Sequence, residues 1–428
     1  MKFQPKKLAG NVLLAIASVA ITCIAIIAID RAAGWLSPAT PFDRGLLFAP
    51  YSAAHYDTLE FKCTVRMNNL GFRGDDTTIE KSRRTRIVAL GDSFTYGWGV
   101  ELTDTWVKQV ESALRAEGND VEILNLGVPG HGPGEYADTA ERVVPILKPD
   151  IVLVGLLQGN DLEQIEKWKP KKPVDDAATP LSAETEPSPA IKSITHRLVP
   201  NLSRISARFG IGLSGKPTSI ADQWKKQTLE YVDTMSEADR HNFYTMSDFL
   251  RLGFMEGRLN PAALTWLFPA TDKAPKNTAA KKAPAQASNT PAPNSDLNSE
   301  LMRRRIDRCA EQLERIRYAA EQNGARVVVL SIPESSYVGL SGWHLLFERR
   351  LSDEVRKARD ANFVTTVPDE AHELACKRAN VPLVHVTAAY RKESAEIRCF
   401  YEFDGHFTPD GNRLFADLLT PALRPYLR

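Results

Sequence analysis

The feature that most constrains the fold is the run of residues 151–157, IVLVGLL, which carries no polar side chain on either of its alternating faces. A strand that is apolar at every position is typical of a parallel sheet covered by helices on both sides. The apolar run 87–90 and the predicted strand 121–124 precede it, and segments with helical spacing separate the three predicted strands. This alternation predicts a β-α-β-α-β unit and therefore a parallel, doubly wound sheet.

Apolar residues at helical spacing predict where the connecting helices lie. Residues 102–116 form the first predicted helix, with Thr103 as its N-cap and Gly118 as its stop, and residues 135–147 form the second. The later predicted strands are 326–332 and 381–386, and the later predicted helices are 306–320 and 410–423. The sheet is therefore expected to have five strands, with a long interruption after the third.

That interruption differs in composition from the rest of the chain. Residues 167–189 and 270–294 are rich in Pro, Ala and Lys, and are expected to be disordered because they bury too little apolar surface. Residues 219–267, between them, are richer in aromatic residues and predict a small helical insertion that forms a lid. The predicted divisions are 1–31, a stub and membrane anchor; 32–84, a lead-in; 85–164 and 300–428, two halves of one domain; and 165–299, the insertion.

Residues 8–29 form a run of 22 residues without a charge, and about 20 apolar residues suffice to span a bilayer as a helix. Three lysines precede the run, whereas Asp30 and Arg31 follow it, which places the N-terminus in the cytoplasm. The alternative is a cleaved signal peptide, whose apolar region is normally about 7–15 residues long. We expect an uncleaved single-pass anchor in the inner membrane, with the rest of the chain on the extracytoplasmic, periplasmic side.

Charge and cysteine content exclude several classes of function. The net charge of +1 provides no field to attract a nucleic acid, so no such partner is expected. The basic run 81–86 is expected to be solvated. Outside the membrane run, Cys63, Cys309, Cys376 and Cys399 either pair in one of three ways or remain free buried thiols. They lack the spacing of a zinc site, and no metal or organic cofactor is expected.

Four short polar motifs follow predicted strands or precede the last helix. They are Gly91-Asp92-Ser93, Asn125 to Gly130, Gly159-Asn160-Asp161 and Asp404-Gly405-His406. Each alone is a common turn. Because ligands of open α/β sheets collect at the carboxyl ends of the strands, we expect the motifs to lie close together.

The residue types in these motifs suit nucleophilic catalysis. The Ser93 hydroxyl is a weak nucleophile unless a base such as His406 takes its proton, and a carboxylate fixes the tautomer of that base. A tetrahedral oxyanion also needs preorganised hydrogen-bond donors. The candidates are the Ser93 and Gly130 amides and the Asn160 side chain.

Together the motifs resemble those of the SGNH (GDSL-type) hydrolase family, and residues 68–74, NNLGFRG, are similar to the lead-in of its membrane-anchored bacterial members. The resemblance covers about 64–164 and 300–428 and leaves the insertion uncovered. It implies a flavodoxin-like three-layer α/β sandwich. It also implies that Ser93 is the nucleophile and His406 the base, with Ser93, Gly130 and Asn160 forming the oxyanion hole. Asp92 and Asp161 are supporting residues.

The sequence departs from the family pattern at the orienting carboxylate. The usual spacing is Asp-x-x-His, but Phe403 stands three residues before His406, and Asp404 stands two before it. Asp404 is the predicted third member of the triad, and Glu402 is the reserve candidate.

The sequence thus predicts a membrane-anchored serine esterase that hydrolyses carboxylic esters through an acyl-enzyme. Its expected substrate carries a small acyl group, such as acetyl, on a glycan or lipid. One alternative is an O-acyltransferase that uses the same residues, with a hydroxyl of an envelope or exported glycan as acceptor. A second alternative is an inactive SGNH fold that binds glycan or a partner protein through the insertion.

Overall fold

The computed structural model describes residues 5–36, 46–169, 201–202, 218–268, 296–338, 366–394 and 397–427. The segment 270–294, expected to be disordered, lies outside these residues, as does 167–189 from residue 170 onward. The chain divides into two compact units. One comprises Met1–Ser52, Met67–Gly71 and Asp176–Thr218, and the other comprises Ala53–Arg66, Phe72–Asp175 and Ser219–Arg428.

Strands and helices alternate through most of the chain. The strands are β1 (Ala53–Asp57), β2 (Lys62–Arg66), β3 (Thr85–Gly91), β4 (Val121–Gly127), β5 (Ile151–Leu157), β6 (Thr218–Ser219), β7 (Arg326–Ile332) and β8 (Leu383–His385). The first seven helices are α1 (Pro5–Leu36), α2 (Ser93–Tyr96), α3 (Trp106–Ala116), α4 (Pro133–Leu147), α5 (Asp161–Lys167), α6 (Ile220–Thr234) and α7 (Glu237–Thr245). The others are α8 (Asp248–Met255), α9 (Ala262–Leu267), α10 (Glu300–Glu321), α11 (Ser335–Val338), α12 (Val367–Ala379), α13 (Thr387–Glu393) and α14 (Pro409–Leu423).

In the first unit, helix α1 covers the run that the sequence predicts to be a membrane anchor. Within the described part of the chain, no helix has both the length and the apolarity needed to cross a bilayer. Asp30, near the end of α1, is buried, and its carboxylate accepts hydrogen bonds from Asn201 Nδ2 at 3.1 Å and Leu202 N at 2.8 Å.

The second unit contains a five-stranded sheet in the order β4-β3-β5-β7-β8, and its neighbouring strands run parallel. All seven residues of β5 are buried, as the apolar run requires. β5 and β7 have the predicted bounds, whereas β3 and β4 extend to Gly91 and Gly127, which pair with each other. The predicted parallel α/β sheet is confirmed.

Helices cover both faces of this sheet. Ile87 and Ala89 of β3 share a buried cluster with Trp106 of α3 and Phe415 of α14. The alternate β3 residues are buried as well, on the other face, where α10 packs against α4, α5 and α12. The result is a three-layer α/β arrangement.

Several predicted element boundaries differ from the observed ones, and for two of them the structure shows the reason. Residues 102–104 form a 3₁₀ turn, and α3 begins at Trp106, where the Thr105 hydroxyl, rather than Thr103, accepts the Lys108 amide at 3.3 Å. β8 is shorter than predicted because the Val381 amide donates to Cys376 O at the end of α12, at 3.0 Å. Pro382, which follows, has no amide hydrogen to donate.

The prediction that the whole basic run 81–86 is solvated is wrong for Arg86, whose side chain is fully buried. Arg86 lies opposite Glu122 in the register of β3 and β4, and its Nε lies 2.9 Å from Glu122 Oε1. Its guanidinium also donates to Leu147 O at 3.0 Å and Glu80 O at 2.8 Å. Arg86 lies on β3, which has a neighbouring strand on each side and is covered by helices, so its side chain is not exposed to solvent.

Residues 218–268 of the insertion contain the short strand β6 and the helices α6 to α9. Its helices enclose a separate apolar cluster that includes Val232, Phe243, Phe254 and Leu264. Leu59 from the β1–β2 turn and Phe403 pack against this cluster.

All five cysteines lie among the described residues and carry free thiols, so the free-thiol alternative holds. Burial raises the pKa of both Cys63 and Cys376 to about 12.

Candidate active site

Ser93 opens the short helix α2 directly after β3. The Asp92 carboxylate caps this helix and accepts the Phe94 amide at 2.9 Å. A Cβ atom on Gly91 would lie 2.1 Å from Thr95 Oγ1, so the helix packs directly against the strand end and position 91 requires glycine. These contacts hold the Ser93 hydroxyl at the carboxyl end of the sheet.

A buried arginine fixes the chain that follows Ser93. Arg73 is 2% exposed, and its guanidinium donates to Tyr96 O at 2.9 Å, to Gly97 O and to Val100 O at 2.5 Å. Asn125 Nδ2 donates to Thr95 O at 2.7 Å. Arg73 of the motif NNLGFRG therefore holds the loop after Ser93 in place, a role that the similarity of this motif to the family lead-in did not reveal.

The structure brings Ser93, His406 and Asp404 into one hydrogen-bonded row. His406 Nε2 lies 2.7 Å from Ser93 Oγ, although 313 residues separate the two in the chain. His406 Nδ1 lies 2.5 Å from Asp404 Oδ1. The carboxylate beside the imidazole is therefore that of Asp404, and not that of the reserve candidate Glu402.

The unusual spacing of Asp404 and His406 follows from the conformation of Gly405. Its φ of +82° lies in the left-handed region, which favours glycine. The Gly405 amide donates to Tyr401 O at 3.1 Å, and the Tyr401 amide donates to His406 O at 2.8 Å. This tight loop, residues 401–406, lets side chains two residues apart contact each other; we call it the acid loop.

The surroundings of His406 favour its protonated form. Burial alone lowers its pKa, but the charge of Asp404 and the hydrogen bond to it outweigh burial, and Asp92 and Glu334 add to them. The net effect is a pKa of His406 above its ordinary value of 6.5. At Asp92, burial raises the pKa to about 6, against the opposing effects of the Phe94 amide and His406.

The predicted oxyanion residues lie on either side of Ser93. Gly130 follows β4 and Asn160 follows β5, and these two strands flank β3. A Cβ on Gly130 would meet no atom within 4 Å, so the space beside it is open. Asn160 Oδ1 is buried without a hydrogen-bond partner. Among the described contacts, neither residue bonds directly to Ser93.

Asp161 ties the end of β5 to helix α4. Its buried carboxylate accepts the Leu157 amide at 2.9 Å, and the Tyr136 hydroxyl lies 3.1 Å from its Oδ1. Burial raises the pKa of Asp161 well above its ordinary value, and the charge of Asp92 raises it further.

Sequence reasoning missed two residues that contact the acid loop. Trp98 Nε1 donates to Asp404 Oδ2 at 3.2 Å, and its ring centroid lies 5.8 Å from that of His406. Glu60, in the β1–β2 turn, accepts hydrogen bonds from the loop backbone. Trp98 lies in the glycine-punctuated stretch after Ser93, which was a usable signal, whereas Glu60 stands in no recognisable motif.

Aromatic side chains of the insertion border the site. The ring of Trp224, from α6, stacks with that of Trp98 at a centroid distance of 6.5 Å. Phe249 of α8 contacts Phe403 of the acid loop at 6.2 Å. Within the described residues, no cluster of His, Cys, Asp and Glu is suited to holding a metal ion.

Comparisons with known proteins give structural matches only. The sequence matches no protein-family model and no curated protein sequence. Among solved structures, it is similar to a lipase/acylhydrolase from Enterococcus faecalis, with 13% identity, a TM-score of 0.34, and coverage of 80% of this chain and 97% of the other. An acetylxylan esterase from Geobacillus stearothermophilus matches at 10% identity and a TM-score of 0.33, with coverage of 80% and 94%.

A GDSL-like lipase from Bacteroides thetaiotaomicron matches at 11% identity and a TM-score of 0.30, with coverage of 80% of this chain and 89% of the other. These three proteins are named as a lipase/acylhydrolase, an acetylxylan esterase and a GDSL-like lipase.

Proposed function

We propose that this protein is a serine ester hydrolase of the SGNH type, in which Ser93, His406 and Asp404 form the catalytic triad. The observation that carries the proposal is the continuous row of contacts from hydroxyl to imidazole to carboxylate, with distances of 2.7 and 2.5 Å. That row is the arrangement by which a serine is activated as a nucleophile.

In the proposed reaction, Ser93 Oγ attacks the ester carbonyl while His406 Nε2 accepts its proton. Asp404 keeps the other proton of the ring on Nδ1, so that Nε2 is free to act as the base. The collapsing tetrahedral intermediate takes the proton from His406 and releases the alcohol, which leaves an acyl group on Ser93. Water then attacks this acyl-enzyme while His406 Nε2 accepts its proton; the bond from the acyl carbon to Ser93 Oγ breaks, His406 returns the proton to Ser93 Oγ, and the carboxylic acid is released.

The Ser93 and Gly130 amides and the Asn160 side chain are the proposed donors to the oxyanion. Support comes from the open space beside Gly130 and from the position of both loops at the strand ends that flank β3. Removal of one such donor typically costs about 3–4 kcal/mol of barrier.

The proposed substrate is a carboxylic ester with a small acyl group, carried by a glycan or lipid. Its support is the crowding of aromatic rings around the base, with the Phe94 ring centroid 4.8 Å from that of His406 and that of Trp98 at 5.8 Å. We also propose that residues 8–29 anchor the chain in the inner membrane and that the triad acts outside the cytoplasm, on the support of the uncharged run and the lysines before it.

The experiment is hydrolysis of p-nitrophenyl acetate by the purified full-length protein and its Ser93→Ala variant. We expect kcat to fall at least about a thousandfold, since loss of a triad nucleophile removes the covalent pathway. A matched control is Ser112→Ala on helix α3, whose exposed hydroxyl donates to Lys108 O of its own helix at 2.8 Å. Wild-type kcat in Ser93→Ala would overturn the proposal.

A further inference from the structure

The buried carboxylate of Glu60, which is not a member of the triad, accepts hydrogen bonds from the acid loop. Glu60 Oε1 accepts the Glu402 amide at 2.5 Å, and Oε2 accepts the Phe403 and Asp404 amides at 2.9 and 2.8 Å. The side chain of Glu60 is 5% exposed. Three consecutive amides of the acid loop, ending at the triad acid itself, therefore converge on one anion.

The turn that carries Glu60 is itself rigidly built. The Thr58 hydroxyl accepts the Glu60 amide at 3.1 Å and the Phe61 amide at 2.9 Å, and donates to Phe61 O at 3.0 Å. The Leu59 amide donates to Arg258 O of the insertion at 3.0 Å. Glu60 is thus presented from a fixed backbone and not from a flexible tip.

The same turn contacts the acid loop through apolar rings. The Phe61 and Tyr401 ring centroids lie 4.9 Å apart, and the Tyr401 hydroxyl donates to Gly99 O at 2.8 Å. Gly99 belongs to the stretch after Ser93. These contacts therefore connect the β1–β2 turn to the acid loop, and the acid loop to the stretch after Ser93.

Electrostatics argues against a merely incidental role for Glu60. Burial raises the pKa of Glu60, and the nearby negative charge of Asp404 raises it further, while the three amides lower it. Glu60 forms an ion pair with Arg398, whose Nη2 lies 3.4 Å from Glu60 Oε1 and whose side chain is 64% exposed, so screening weakens the pair. Charge-assisted hydrogen bonds to the loop backbone are what stabilise this anion.

We propose that Glu60 is a positioning residue for the triad: by holding the amides of residues 402–404, it sets the orientation of the Asp404 carboxylate toward His406. This inference rests on the proposed function. It makes the β1–β2 hairpin, outside the main sheet, part of the active site.

The test compares Glu60→Gln and Glu60→Ala with wild type, each normalised by active-site titration with a fluorophosphonate. The glutamine side chain has nearly the same shape as glutamate. However, its NH₂ group replaces one carboxylate oxygen and cannot accept a hydrogen bond from the backbone N–H groups of residues 402–404. We expect kcat per labelled site to fall about ten- to a hundredfold with KM nearly unchanged, which corresponds to about 1.4–2.7 kcal/mol of barrier. We also expect the fall of kcat/KM at acid pH to occur at a lower pH than in wild type, because a displaced Asp404 carboxylate raises the pKa of His406 less.

These readouts separate positioning from folding. A purely structural role would lower the number of titratable sites and leave kcat per site and the pH midpoint as in wild type. Two matched controls are Asp57→Asn, which breaks the 3.1 Å pair with Lys62 on the same hairpin, and Arg398→Ala, and both are expected to retain wild-type kcat per site.

If both Glu60 variants fail to fold, Glu60→Asp is the deciding variant, because it keeps the charge and shortens its reach. It is expected to show the same loss per site and the same direction of pH shift. Wild-type kcat per site in a folded Glu60 variant, or an equal loss in Arg398→Ala, would overturn the inference alone. An inactive, unlabelled wild type would overturn the proposed function and this inference with it.

Discussion

Replacing Asp404 by asparagine probes the triad through the tautomer of His406. An asparagine has one oxygen and one NH₂ group where the carboxylate has two oxygens. At present Oδ1 faces His406 Nδ1 at 2.5 Å, and Oδ2 accepts Trp98 Nε1 at 3.2 Å. The side chain of Asp404 is 5% exposed, so water cannot take the place of either partner.

The two orientations of the new amide differ in free energy. If the NH₂ group faces Trp98, it meets the indole N–H, and both groups are hydrogen-bond donors. A buried N–H then has no acceptor, which costs about 1–3 kcal/mol. The favoured orientation therefore keeps the oxygen at Trp98 and points NH₂ at His406 Nδ1. The imidazole must then carry its proton on Nε2, where it cannot accept the proton of Ser93.

We expect Asp404→Asn to lower kcat by about 10⁴-fold, or about 5.4 kcal/mol, the scale at which an amide stabilises the wrong tautomer. Removing the competing donor should reverse part of this loss. In Asp404→Asn/Trp98→Phe the amide turns freely, and we expect kcat about ten- to a hundredfold above that of Asp404→Asn, from the same 1–3 kcal/mol.

The assay is ester hydrolysis from pH 5 to 9. A base acts when neutral, so wild-type kcat/KM falls as pH drops through the raised pKa of His406. In Asp404→Asn the charge that raises the pKa of His406 is lost, so the fall of kcat/KM at acid pH is expected at a lower pH than in wild type. The matched control is Asp410→Asn on α14, which removes a surface pair with Arg413. A loss below tenfold in Asp404→Asn, or a double variant slower than it, would refute this reasoning.

Two further predictions concern stability and location. Arg86→Met is expected to lower the free energy of unfolding by about 3–5 kcal/mol, because the buried Glu122 carboxylate keeps its hydrogen bonds from Ser82 but loses its cation. Arg86→Met/Glu122→Leu is expected to recover part of that loss. Urea denaturation measures both variants, and a loss below about 1 kcal/mol in Arg86→Met would contradict the ion-pair interpretation. Protease added to spheroplasts of an expressing bacterium is expected to degrade the chain beyond residue 31, and a fully protected chain would contradict the extracytoplasmic location.

The sheet could be predicted because each strand carries its signal locally. Residues 151–157 and 326–332 are apolar at nearly every position, and their bounds match β5 and β7. The start of α3 could not be predicted as well, because Thr103 and Thr105 are both suitable caps. Only the extended backbone at Thr105 decides between them.

The contacts of the candidate site divide in the same way. Ser93 and His406 stand in short motifs that can be read along the chain, and the structure brings them together. Glu60 and Arg73 act on backbone groups far along the chain, and no local pattern encodes such a contact. The buried pair of Arg86 and Glu122 depends on strand register, which a basic run does not reveal.

The most direct test of the central claim is fluorophosphonate labelling of the wild-type protein and of His406→Ala, with the modified residue located by peptide mass spectrometry. We predict a label on Ser93 in wild type and labelling at least about a hundredfold slower in His406→Ala, since the hydroxyl loses its base. No label on Ser93 in wild type, or an equal rate without the imidazole, would contradict the claim that Ser93 and His406 act together.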